Sequence, residues 1–285
     1  MTIILVASTP NPFTPPPLPA VDQPAPLPPP VENPPFNGWD VALLAFIFFL
    51  AVNVFLATAI FAAVAMHWDG LTLDQLQHNR QEIVNRLTTD VRLLLPVQVL
   101  GYLVGLGFML AIVRMRYQRD FLLSVRWNWP GRRWAQFIVL GGGMAFIASL
   151  VSTFLPLPKT VPFEKLFQNA QAAYLLAALG IFLAPVMEEL FFRGFLYPVL
   201  ARALGAAAGI ILTGFAFMLV HAQQLAHAWS PLLVLFLVGI TLTAVRAKTK
   251  SVAASTLVHM GYNGIIFVIT YLATDHFRHL ERMNR

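Results

Sequence analysis

The chain has 285 residues, of which 58% are hydrophobic and only 11% charged, with a formal net charge of +6. An ordinary soluble domain carries about 25% charged residues, so this balance excludes one and makes lipid the solvent for most of the chain. The basic residues lie in short segments between apolar runs, the placement of topological charges and not of a nucleic-acid footprint, and the lack of cysteine excludes disulfides and thiolate metal sites.

In chain order, the apolar run Ile3 to Ala7 has no basic residue before it and is too short for a secretory signal. Proline dominates from Pro10 to Pro35, a composition that lacks backbone donors and favours extended polyproline II. Residues 1–38 therefore read as a disordered proline-rich tail or semi-rigid spacer, which also suits a proline-binding partner. A membrane-spanning helix needs about 20 apolar residues. Windows at 40–66, 93–113, 134–156, 174–198, 206–222, 230–245 and 252–273 satisfy this or come close. The expected fold is all-α, a polytopic transmembrane helical bundle of seven spans, or eight if a broken helix hides another, around an intramembrane polar cavity. Residues 39–133 hold two spans with polar and basic loops, 134–273 form the core, and 274–285 make a polar C-terminal tail.

Arg114, Arg116, Arg119, Arg126, Arg132 and Arg133 stand against a single acid, Asp120, the strongest inside signal in the chain. This predicts an integral protein of the plasma (inner) membrane with its N-terminus cytoplasmic. Seven spans then put the C-terminal tail outside despite Arg278, Arg282 and Arg285, which counts against either the number of spans or the orientation.

An ionisable residue inside a span costs about 2.5–3.5 kcal/mol on insertion scales, so each one needs a partner or a task. The fourth window holds Glu188, Glu189 and Arg193, the fifth Phe217 and His221, the seventh His259 and Asn263. Glu189 and Arg193 are four apart with the acid first, the favourable order for an ion pair within one helix. Glu188 points about 100° away beside Phe191 and Phe192, an apolar setting suited to a general base. His259 and Asn263 share a face, and Phe217 reads as packing below His221. Measured along the helices at about 1.5 Å per residue, Glu188 and His221 lie at similar depth, whereas His259 meets them only with a tilt or a different helix start. Gly141, Gly142 and Gly143 permit close helix approach, since no Lys-Ser/Thr follows as a phosphate loop requires.

In that order on successive apolar segments, EExxxR (Glu188, Glu189, Arg193), FxxxH (Phe217 to His221) and HxxxN (His259 to Asn263) resemble the signature motifs of the CAAX protease and bacteriocin-processing (CPBP) family, which includes the type II CAAX prenyl endopeptidases. The resemblance covers about residues 134–273 and implies an intramembrane endopeptidase. In it, Glu188 and His221 activate water and His259 and Asn263 bind the oxyanion. Glu189 and Arg193 serve the site directly or by orienting Glu188. Members of the family are also described as metal-dependent, and Glu188, His221 and His259 match the ligand count of a catalytic zinc site with one open position. Both schemes, with no cofactor or with one divalent metal, remain open on the sequence. The expected partners are membrane lipids and a membrane-associated peptide or protein, CAAX-like or bacteriocin-related. The competing classes are a proton- or ion-coupled transporter, against which the lack of an internal broken-helix repeat counts, and a non-proteolytic membrane scaffold or immunity factor.

Overall fold

The computed structural model describes residues 32–156 and 161–284; most of the proline-rich tail, with any surface for a proline-binding partner, lies outside them. Among the described residues the chain is all-helical. It begins with α1 (Gly38–Ala65), continues through the short α2 (Leu73–His78) and α3 (Arg80–Thr89), and returns through α4 (Val91–Leu110), which a wide π turn extends to Arg116. The short α5 (Phe121–Ser124) leads to α6 (Trp134–Ser152). Next comes one 35-residue helix, Ala170–Leu204, built of α7 (Ala170–Ala178), α8 (Ala184–Glu189) and α9 (Tyr197–Leu204) joined by π segments. The chain ends in α10 (Ala206–Val220), α11 (Trp229–Thr249) and α12 (Val252–Ala273).

Six of these helices are long and apolar enough to cross a membrane, and the chain is a polytopic integral membrane protein. The fifth expected span is the exception. Its helix, Ala206–Val220, has 15 residues and reaches about 22 Å, short of a hydrocarbon core of about 30 Å. The turns of 221–228 complete that pass: Gln224 O accepts from Phe163 N at 3.2 Å, and Ser230 Oγ donates to Pro156 O, at the end where α6 finishes and α7 begins. The sixth expected span is longer than its sequence window and runs the full length of α11.

Inter-helix contacts sort the chain ends into two layers. In one layer, Val252 N donates to Arg126 O at 3.0 Å and Asn128 Nδ2 to Lys250 O at 2.9 Å. Asp40, fully buried in the capping box that starts α1, accepts from Arg116 Nη1 at 2.7 Å and from the Tyr117 hydroxyl at 2.6 Å. In the other layer, Val91, Phe167, Ala173 and Phe277 form a common apolar cluster, so part of the expected polar C-terminal tail is packed. The tail at the N-terminus is likewise shorter than expected, because Glu32–Asn37 belongs to the bundle. Glu32 is 2% exposed and pairs with Arg246 at 3.2 Å and Arg126 at 3.3 Å, Phe36 stacks on Phe195 at 4.2 Å, and Arg202 donates to the carbonyls of Pro34 and Phe36. A single carboxylate between two guanidinium groups holds a segment whose composition resembles that of the tail before it.

Two glycine contacts set the helix spacing. A Cβ on Gly141 of α6 would lie 2.0 Å from Val258 O, and one on Gly261 of α12 would lie 2.2 Å from Ile138 O, so the two backbones touch. Gly239 of α11 faces Gly214 of α10 in the same way, its Cβ position 2.9 Å from Gly214 Cα. We expect Gly141→Ala and Gly261→Ala each to lower stability by about 3 kcal/mol, the upper end of the usual cost of overpacking. Gly264→Ala on the same helix, where no atom lies within 4 Å, should stay within about 1 kcal/mol of wild type; thermal unfolding in one detergent checks all three.

Candidate intramembrane active site

The two adjacent glutamates sit in α8, between the π segments Leu179–Leu183 and Leu190–Leu196. Each π segment ends just before a proline, Pro185 and Pro198. A proline within a helix has no N–H for the carbonyl four residues back and its ring crowds that carbonyl, so a locally wider turn relieves both problems. The freed backbone is used: Gly180 O, in the first π segment, accepts from Asn263 Nδ2 of α12 at 2.7 Å.

Glu189 turns into the bundle and is fully buried with Arg193. Its Oε1 accepts from Arg193 Nη1 at 2.7 Å, the ion pair that the four-residue spacing predicts. The guanidinium is answered on its other sides by α11 and by aromatic rings. Nε donates to Thr243 Oγ1 at 3.2 Å, Nη2 donates to Gly239 O at 2.9 Å, and the group stands over the rings of Phe217 and Phe192 at 4.8 and 5.7 Å. A planar fork of donors fits this arrangement and an ammonium does not.

Glu189 has a second partner. His259 Nδ1 lies 3.0 Å from the same Oε1, and because a carboxylate only accepts, Nδ1 carries the proton. The ring therefore presents Nε2 on its far side, where Glu188 Oε2 lies 3.8 Å away. That distance is ion-pair contact and too long for a hydrogen bond. Among the described residues Glu188 has no guanidinium partner, and its side chain is 21% exposed against 0% for Glu189. The depth mismatch expected from the sequence does not keep the two apart: Glu188, within the long helix Ala170–Leu204, meets His259 near the start of α12.

His221 ends α10, with Nδ1 2.7 Å from its own Phe217 O and its ring 4.7 Å from the Phe217 ring. Phe217 also meets the His259 ring edge-on at 5.7 Å. Both imidazoles thus pack on one phenyl ring, and Phe217 is more than filler because it also floors Arg193. Of the expected residues, Glu188, Glu189, Arg193 and His259 form one connected cluster. His221 joins it through Phe217, and Asn263 is drawn to the backbone of the Glu188 helix.

The zinc alternative does not assemble. Among the described residues no three His, Asp or Glu side chains are grouped as metal ligands. Glu188, His221 and His259 are therefore not gathered as a ligand set, although Glu189 and the Phe217 carbonyl each hold only Nδ1 of a ring and leave its Nε2 open.

Residues 170–265, which contain all of these side chains, match the family model of the type II CAAX prenyl endopeptidases, Rce1-like. The match indicates protease activity in general and agrees with the family that the three motifs resemble. Neither the curated proteins nor the solved structures include a match to the chain. The motifs did not indicate Thr243 and Gly239 of α11. The available signal was a hydroxyl one turn after a glycine in an apolar span, a pattern shared by many structural threonines.

Arg193→Lys keeps the charge but cannot reach Glu189, Thr243 and Gly239 together. We expect it to destabilise the protein by about 3–5 kcal/mol, the cost of disrupting a buried pair, read as a lowered midpoint in thermal unfolding.

Proposed function

We propose that the chain is an intramembrane endopeptidase that hydrolyses a peptide bond of a membrane-associated substrate, CAAX-like or bacteriocin-related, by a glutamate-activated water. The observation that carries this reading is the division of labour between neighbouring carboxylates: Glu189 is consumed by Arg193 and His259, while Glu188 is free and faces the remaining nitrogen of His259.

In this scheme Glu188, assisted by Nε2 of His221, takes a proton from water as its oxygen attacks the scissile carbonyl. His259, fixed through Nδ1 by Glu189, turns Nε2 toward the oxyanion and donates to it when that nitrogen carries a proton, together with the second amide N–H of Asn263. Protonated Glu188 then gives its proton to the leaving amine. Burial of Glu189 and His259 in a low-dielectric setting strengthens the interactions that hold the ring. The basic residues also favour one orientation. Arg114, Arg116, Arg119, Arg126, Arg132, Arg133, Arg202, Arg246, Lys248 and Lys250 all fall in the layer with Glu32 and Asp40, whereas cations of the opposite layer are offset by acids such as Asp69, Asp74, Glu82 and Asp90. By the positive-inside rule this supports a cytoplasmic side for the richer layer and the N-terminus, in a plasma-membrane protein.

Detergent-purified protein should cleave members of a quenched fluorescent library of lipidated and unlipidated peptides, and continue to do so with a zinc chelator present. Glu188→Gln should lower the rate by about 100- to 10,000-fold, the usual contribution of a general base. Wild-type protein that cleaves nothing in the library, or a Glu188→Gln variant that cleaves as well as wild type, would overturn the proposal.

A further inference from the structure

We infer that Thr243, on the sixth pass and outside all three motifs, is a positioning residue for the reaction centre, acting through Arg193 and Glu189 on His259. The inference rests on the proteolytic reading for its kinetic consequence, though not for its geometry.

Thr243 is fully buried, and its hydroxyl donates to Gly239 O one turn back at 2.7 Å. That bond fixes the rotamer and uses the only hydroxyl proton. What remains toward Arg193 is a lone pair, an acceptor of set direction, 3.2 Å from Nε. Gly239 O meanwhile accepts from Arg193 Nη2 at 2.9 Å. One turn of α11 thus offers two acceptors to one edge of the guanidinium and fixes its plane.

The plane matters because the opposite corner of the same rigid group, Nη1, holds Glu189 Oε1 at 2.7 Å, and this oxygen is the one that meets His259 Nδ1 at 3.0 Å. Among the described residues the other carboxylate oxygen, Oε2, is buried with no hydrogen bond, the neighbouring Ser255 hydroxyl donating to Val252 O at 3.0 Å instead, so the orientation of Glu189 is set largely through Oε1. A tilt of the guanidinium therefore moves Oε1, and with it the ring whose Nε2 faces Glu188. The floor of the arrangement is equally fixed. Phe217, beneath the guanidinium, is held where Gly239 and Gly214 let α10 and α11 touch, its Cβ 3.3 Å from the position a Gly239 Cβ would take. With Phe217 closing one face, the guanidinium has little room to find a substitute acceptor.

The test compares Thr243→Val, which keeps the shape and removes the hydroxyl, with Thr243→Ser, which keeps the hydroxyl, and with Thr243→Ala as a smaller hydroxyl-free variant. For Val and Ala we expect kcat to fall about 10- to 100-fold, the scale of small displacements in a reaction centre, with KM within about twofold; Ser should restore most of the rate. In protein labelled with 15N-histidine, the His259 Nδ1 resonance, assigned with His259→Gln, should shift in Val and Ala and return in Ser. Val with wild-type kcat and an unmoved resonance would overturn the inference, as would Ser failing as badly as Val. If wild-type protein cleaves no peptide, the proteolytic reading fails alone, and the resonance still decides the role of Thr243.

Discussion

A guanidinium that cannot be deprotonated lies inside a membrane-embedded bundle with no exposure to solvent, and its satisfaction organises the surrounding structure. Arg193 needs a counter-charge, two further acceptors and a face to rest on. Glu189 on its own helix, Thr243 and Gly239 on α11, and Phe217 on α10 supply them. Each supplier is constrained in turn. The α10–α11 contact admits no side chain at Gly239 or Gly214, and the carboxylate that answers Arg193 also fixes the protonated nitrogen of His259. Three helices are locked around one cation, and the orientation of the histidine follows from that lock.

The same constraint explains how two consecutive glutamates come to differ. Residues adjacent in a helix point about 100° apart, so the turn that drives Glu189 into the bundle leaves Glu188 on its flank. The wide turns preceding Pro185 and Pro198 bound this single α-helical stretch on both sides, and Asn263 binds a carbonyl in the first of them. Asn263 thereby fastens α12, the helix of His259, to the helix of Glu188. A backbone irregularity next to Pro185 thus supplies one of the ties between helices distant in the sequence.

Much of this was legible in the sequence because lipid punishes unpaired charge so heavily. Six of the seven windows that read as spans are helices long enough to cross, the fifth is a shorter apolar helix, and the spacing of Glu189 and Arg193 predicted the ion pair. Helical spacing also left Glu188 as the free carboxylate. Three things were hidden. A threonine hydroxyl and a glycine carbonyl leave hydropathy and motifs unchanged, so the role of α11 was invisible. Glu32 follows a run of prolines, and only its two arginine partners, 94 and 214 positions away in the chain, reveal that it is buried. Finally, the ligand count of a zinc site was satisfied by Glu188, His221 and His259, but a count carries no distances, and among the described residues the three are not gathered as a metal-binding group.

The central claim is that Glu189 is the structural counter-charge and Glu188 the reactive one, although they are neighbours in the chain and chemically identical. Thermal unfolding of Glu189→Gln and Glu188→Gln in the same detergent separates them most directly. The account predicts that Glu189→Gln, which strands a buried guanidinium, loses about 3–5 kcal/mol, while Glu188→Gln stays within about 0.5 kcal/mol of wild type. Equal losses in the two variants, or the larger loss in Glu188→Gln, would contradict it.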